Sequence, residues 1–137
     1  MQLTNALAFV LVIAAPAFAI RVSSDSIYDN AKTSMAGVAC SNGDHGLMHK
    51  YPTFGSLHNF PNIGGAAAIG SWNSAKCGSC WQLTYKGRSI NVLAIDHTGE
   101  GFNLSKAAMN KLTNGRADEL GVVDASSKEV PASVCGL

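Results

Sequence analysis

Apolar and polar positions alternate most clearly in the middle of the chain. Trp81-Gln82-Leu83-Thr84-Tyr85 runs with period two, the signature of a half-buried strand. Ile90 to Ile95 alternates only in part and is nearly continuous, which marks the more central strand of the two. Lys86-Gly87-Arg88 lies between them and offers a glycine where positive φ is cheap, so the pair predicts a hairpin. From Leu104 to Leu112 the period changes. Leu104, Ala107, Ala108 and Leu112 fall on one face of a helix, with Asn103 as a candidate cap and Asn114-Gly115 as its end. Thr33 to Ala39 reads as a strand leading into Cys40. Leu120 to Ala125 and Glu129 to Val134 read as the last strands. Residues 20–32 are polar and predict irregular or turn-like backbone. Between Cys40 and Cys77 the chain is punctuated by glycine, proline and asparagine, which predicts loops and short turns. That stretch also carries Tyr51, Phe54, Phe60, Ile63 and Trp72, so it must fold onto something. A short helix fits Gly65 to Ser71.

The first 19 residues differ from the rest. An apolar run from Leu7 to Ala15, then Pro16 and Ala17-Phe18-Ala19, predicts a secretory signal peptide, Met1 to Ala19, although its first five residues contain no Lys or Arg. A retained hydrophobic anchor is the alternative, but the run is short for a span of about 20 residues. The remainder, residues 20–137, is expected to be one small, soluble, extracellular domain. Its net charge is only +1, from 10 Lys+Arg against 9 Asp+Glu. Without a basic run, capture of nucleic acid or of anionic lipid is not expected, nor is a membrane span. A monomer is the default.

Four cysteines, Cys40, Cys77, Cys80 and Cys135, are expected to form two disulfides in an exported chain. Arithmetic allows three pairings. Two long bridges, Cys40–Cys77 and Cys80–Cys135, would tie both ends of the domain to its middle, each worth about 4 kcal/mol in the chain-entropy model. Cys77-Gly78-Ser79-Cys80 has redox-dithiol spacing, but a strand rather than a helix follows it, and the other two cysteines are too isolated for a four-thiolate zinc site.

Catalytic motifs are scarce. No G-x-S-x-G, G-x-G-x-x-G or P-loop occurs, and the four histidines form no recognised ligand set, so neither cofactor nor metal is expected. Glycoside hydrolysis needs two placed carboxyl groups. Asp96 ends the central strand and opens the glycine loop Asp96-His97-Thr98-Gly99-Glu100-Gly101, but no spacing selects its partner among Asp44, Glu100 and Asp118. Sugar binding without chemistry needs less: a shallow groove, polar partners and an aromatic floor. Trp72, Trp81, Tyr28 and Tyr51 are the candidates for that floor. Asn103-Leu104-Ser105 is a possible N-glycosylation sequon.

Several segments together resemble the cerato-platanins, small secreted proteins of filamentous fungi. They are Val38-Ala39-Cys40-Ser41-Asn42-Gly43-Asp44-His45-Gly46-Leu47-Met48, Phe60-Pro61-Asn62-Ile63-Gly64-Gly65, Gly70-Ser71-Trp72-Asn73-Ser74, Cys77-Gly78-Ser79-Cys80-Trp81, Asn91-Val92-Leu93-Ala94-Ile95-Asp96, Gly101-Phe102-Asn103 and Cys135-Gly136-Leu137. The resemblance spans residues 20–137. It implies a mainly β fold with short helices, a six-stranded double-psi β-barrel like expansin domain 1, with the pairing Cys40–Cys77 and Cys80–Cys135. It implies a secreted protein of the fungal cell wall and its surroundings. Such a protein binds chitin or N-acetylglucosamine oligomers, with cellulose as a further ligand. It acts in an expansin-like way, is perceived by plant defences as an elicitor, phytotoxin or virulence factor, and self-assembles at surfaces. The implied carbohydrate-binding residues are Asp96, Asn103, Asn42, Asp44, Gly99 and Gly101.

Expansin and endoglucanase relatives carry His-Phe-Asp at the start of the helix, and that Asp donates the proton. Gly101-Phe102-Asn103 is the similar segment here, and Asn103 has no carboxylic acid. A non-enzymatic binder is therefore expected. A weak polysaccharide-modifying or hydrolytic enzyme and a surface-active wall protein are the alternatives.

Overall fold

The structure, a computed structural model, describes residues 19–137. Apart from Ala19, the expected export segment lies outside that range. Six strands, β1 (Ile20–Ser24), β2 (Ile63–Ala66), β3 (Cys80–Tyr85), β4 (Arg88–His97), β5 (Phe102–Leu104) and β6 (Val123–Val130), close into a barrel in the order β1-β5-β2-β4-β3-β6. The β1–β5 and β2–β4 pairs are parallel, and the other four are antiparallel. Two short helices, α1 (Lys106–Thr113) and α2 (Ala117–Leu120), lie between β5 and β6.

The near-continuous apolar run in β4 is explained by burial on both faces. Val92 and Ala94 join a cluster filling the barrel, with Val22, Ala66, Leu83, Phe102, Leu104, Val123 and Ala125 supplied by the other five strands. Leu93 and Ile95 point into a second cluster with Ile63, Tyr28, Met35, Tyr51, Phe54 and Leu57. The glycine- and proline-rich stretch is thus an outer layer folded over β2, β3 and β4. Helix α1 adds Ala108, Met109 and Leu112 to the first cluster. Both expected disulfides, Cys40–Cys77 and Cys80–Cys135, are present.

The hairpin forms as expected, with Tyr85 opposite Arg88 and a two-residue turn whose Lys86 and Gly87 both have positive φ, 46° and 78°. Other expectations are corrected. Residues 20–32 are not irregular throughout, because Ile20–Ser24 is barrel strand β1. Only Val22 in it is fully buried, so it shows no alternation. Thr33 to Ala39 is no strand. Ser34 makes a single bridge to Thr53, and its hydroxyl accepts the Ala36 N–H, starting a 3-10 turn at Met35–Gly37. Gly65 to Ser71 is not a helix, since Gly65 and Ala66 end β2. A Cβ on Gly64 would lie 2.3 Å from the Asn103 carbonyl oxygen, so β2 is glycine-rich to admit β5.

Helix α1 starts at Lys106, capped by Ser105, whose hydroxyl accepts the Ala108 N–H. Asn103 is not the cap, and Leu104 belongs to β5. Asp29 strengthens this helix start by accepting the Lys106 and Ala107 N–H groups. Asn114 ends α1 with a left-handed backbone, as expected. The two last strands are one, β6. Its polar middle, Ser126 to Lys128, pairs with β3 through backbone and needs no apolar run.

Candidate functional site

The site builds outward from the end of β4. Between β2 and β4 the register slips, so that Gly64 faces Ala94 while Gly65 faces Asp96, and Ile95 is the extra residue. This bulge re-aims the strand end. The Asp96 carboxylate then accepts three hydrogen bonds. Oδ1 takes the Ala39 N–H at 3.0 Å and the His97 N–H at 2.9 Å, and Oδ2 takes the Tyr28 hydroxyl at 2.8 Å. Each carboxylate oxygen has two lone-pair sites, so Oδ1 is saturated and Oδ2 keeps one position. Burial, and then the bond to Asp96, push the Tyr28 phenol well above the ordinary tyrosine range, which keeps it a donor. His97 is held beside it by a 2.6 Å contact of its Nδ1 with the Ile69 carbonyl oxygen.

Gly65 sits between Asp96 on β4 and Asn103 on β5, and Asn103 faces Ser23 on β1. Four adjacent strands therefore carry the row Asp96, Gly65, Asn103, Ser23, with no side chain at its second position. Two strand spacings separate Asp96 from Asn103, about 10 Å. The Ser23 hydroxyl donates to Asn103 Oδ1 at 3.0 Å, which directs the Asn103 amide nitrogen elsewhere as a donor. The sequon asparagine is thus committed to a barrel strand.

Asn42 and Asp44 lie on a separate loop that the row reaches through the backbone. The Ala39 N–H binds Asp96, and the Cys40 N–H binds the Ile95 carbonyl at 3.1 Å, three and two residues before Asn42. Asn42 Oδ1 accepts the indole Nε1–H of Trp72 at 2.7 Å. Asn73 Oδ1 accepts the His45 N–H at 2.9 Å. Gly43 has φ +87°, and a Cβ there would lie 2.6 Å from Asn73 Oδ1 and 3.1 Å from the Trp72 ring. These contacts hold Trp72 in place while 56% of it stays exposed. Asp44 is exposed on the same loop as Asn42.

The aromatic candidates divide accordingly. Tyr28 and Tyr51 are core, at 3% and 6% exposure. Trp81 is half-buried, packed edge-on to Phe102 with its Nε1–H on Ser79. Trp72 alone of the four offers an open ring. Gly99 is exposed in the β4–β5 loop with free space around it. Gly101 serves packing, because its φ is +56° and a Cβ would lie 1.8 Å from the Arg21 carbonyl oxygen. Sequence reasoning missed Ser23 and the pairing of Tyr28 with Asp96. A lone serine in a polar segment carries no signal, and the Tyr28–Asp96 contact spans 68 positions. Among the described residues, no group of three His, Cys, Asp or Glu side chains is placed to hold a metal ion, and no helix is long and apolar enough to cross a membrane.

The cerato-platanin family model matches residues 20–137. An allergen of Aspergillus fumigatus is 51% identical over 119 residues, covering 87% of this chain and 78% of its own. The crystal structure of cerato-platanin 2 from M. perniciosa is 50% identical with a TM-score of 0.84, covering 87% of this chain and 99% of that one. A solution structure described as the fungal elicitor cerato-platanin is 43% identical with a TM-score of 0.75, covering 84% and 95%. An expansin of Clavibacter michiganensis shares the fold at 17% identity and a TM-score of 0.52, covering 83% of this chain and 50% of that one.

Proposed function

The chain belongs to the cerato-platanin family, and from that premise we propose that it is a secreted, non-hydrolytic binder of chitin-type oligosaccharides, acting at cell walls and perceived by plants. The observation that carries this reading is the row Asp96, Gly65, Asn103, Ser23. It is a strip of half-buried polar groups over a glycine, set across four strands. The free Oδ2 position of Asp96 accepts a sugar hydroxyl or an acetamide N–H, and the Asn103 amide donates to a sugar oxygen. The exposed Trp72 ring, on the loop that begins beside Asp96, supplies a stacking face for a pyranose.

This arrangement favours binding over hydrolysis for a chemical reason. A glycosidase needs a carboxylic acid to protonate the leaving oxygen and a second carboxylate opposite it. Asn103, where the resemblance to expansins would put the acid, has no proton of that acidity to give. Asp96 already accepts two backbone N–H groups and a phenol, which ties its carboxylate to the surrounding chain and leaves one acceptor position on Oδ2. Within this reading Asn42 and Asp44 divide in role. Asn42 fixes the Trp72 indole, and Asp44 is free to meet ligand.

Titration with N-acetylglucosamine hexamer, followed by tryptophan fluorescence and by mass analysis of the sugar, tests the proposal. Saturable quenching with intact sugar is expected, weakened about tenfold in Trp72→Ala, the equivalent of about 1.4 kcal/mol. Shortened sugar would favour the enzyme reading, and unchanged affinity in Trp72→Ala would remove the indole from the site.

A further inference from the structure

The chain is almost neutral, yet three of its ten Lys and Arg residues line one cavity. Lys111, in the last turn of α1, commits its ammonium to Asn62 Oδ1, but Lys86 in the β3–β4 turn, Arg88 at the start of β4 and Arg116 before α2 stand together. Between them lies a cavity of about 310 Å³, at the small end of ligand-sized pockets. Its walls include Lys86, Arg88 and Arg116, with the half-buried Tyr85 as apolar surface. No carboxylate lines it.

The cations differ in how far they are committed. Arg116 forks onto Glu119 at 3.0 and 3.1 Å and is largely neutralised. Arg88 uses its Nε, which donates to the Lys111 carbonyl at 3.3 Å, and among the described residues both terminal nitrogens of the guanidinium are uncommitted. Lys86 Nζ stands 5.5 Å above the Tyr85 ring with no carboxylate partner among the described residues. The Thr113 hydroxyl is spent on the Met109 carbonyl. A planar guanidinium with two free nitrogens suits a carboxylate, which it can bind in a bidentate fork. A bare anion would leave the Tyr85 ring uncovered, whereas a pyranose bearing a carboxylate would cover it with its C–H face.

We propose that the cavity between the β3–β4 turn and the end of α1 is a second sugar site, specific for a uronate residue of an acidic oligosaccharide, with Arg88 and Lys86 on the carboxylate and Tyr85 beneath the ring. The site lies at the opposite end of β4 from Asp96, about 26 Å along the strand. It therefore stands or falls independently of the Asp96 row. Together the two sites would let one small domain touch a neutral and an acidic glycan at once.

The test is an amide NMR titration with galacturonic acid trimer, run beside a neutral glucose trimer and inorganic phosphate, at low and at high salt. Saturable shifts at Tyr85 to Arg88 and Leu112 to Arg116 are expected with the uronate at millimolar concentration. They should weaken with salt, fall at least about tenfold in affinity in the Arg88→Gln/Lys86→Gln double variant, and be absent with the neutral trimer. Both substituted side chains are exposed, so the variant should fold as the parent does. The proposal is overturned if the uronate gives no saturable shifts there. It is also overturned if the neutral trimer gives the same ones, or if phosphate alone binds as tightly, which would make this a site for any oxyanion.

Discussion

Replacing Asp96 with alanine should cost the fold more than it costs any ligand. The carboxylate ties two separate parts of the chain to the end of β4, the Tyr28 turn and the Ala39 backbone, and also accepts the N–H of its own neighbour His97. A hydrogen bond to a charged group contributes about 1.5–3 kcal/mol net. Asp96 is half-buried, so water can reach part of the site and the low end applies. Three bonds at that value predict a loss of about 4.5 kcal/mol. For a urea slope of about 2 kcal/mol/M, the midpoint would fall by about 2 M. Asp96→Asn should lose less, about 1–2 kcal/mol. Its amide oxygen can still accept the two backbone N–H groups, and the Tyr28 phenol can turn to accept from the amide nitrogen. Urea unfolding of both variants with disulfides intact, read by near-UV circular dichroism, decides the matter. A loss below about 1 kcal/mol in Asp96→Ala would refute the view that this carboxylate clamps the outer layer to the barrel. The result also governs any binding assay, because lost affinity in the alanine variant could reflect a loosened loop. The asparagine variant is the one in which affinity reports on contact.

Gly101→Ala should be severely destabilised, by more than about 3 kcal/mol, since a Cβ would lie 1.8 Å from a backbone carbonyl at φ +56°. Gly87→Ala, at φ +78° with nothing within 4 Å, should lose only about 1 kcal/mol, and thermal melts of the pair test this. Removing Cys80–Cys135 as a double alanine variant should lower stability by about 4 kcal/mol by calorimetry, because the bridge spans 55 positions. Tyr28 has a phenol pKa raised above its unfolded value of 10.0, so the native state holds that proton longer than the unfolded chain. The stability this contributes is fully present below pH 10 and is lost as pH rises above it. The loss approaches about 1.4 kcal/mol per pH unit, and Tyr28→Phe should remove that component of the slope in alkaline melts.

What could be read in the sequence was local. The hairpin was legible because Lys86-Gly87 sits between two alternating runs, and the end of α1 because Asn114-Gly115 follows a helical stripe. Strands β1 and β2 were not legible. Ile20–Ser24 buries one residue fully, and Ile63–Ala66 carries two glycines whose purpose is the close approach of β5 and the backbone of His97. Their strand character comes from partners elsewhere in the chain. The same holds for the candidate site. Asp96 could be singled out at the end of a buried run, and Asn103 only through family resemblance. That a residue-skipping bulge and a glycine put them in one row with Ser23 depends on the order in which the barrel closes. The assignment of Trp72 as open and Tyr28 as core likewise needed the outer layer, since both are aromatics in polar stretches.

The central claim is a binding row that leaves its sugar intact. Amide NMR titration with N-acetylglucosamine oligomers, followed by product analysis of the same samples, tests it most directly. Saturable shifts are expected at Ser23, Gly65, Asp96 and Asn103, joined by the Asn42 to Asp44 loop and the Trp72 indole, with every oligomer recovered at full length. Shifts that avoid this row, or oligomers recovered shortened, would contradict it.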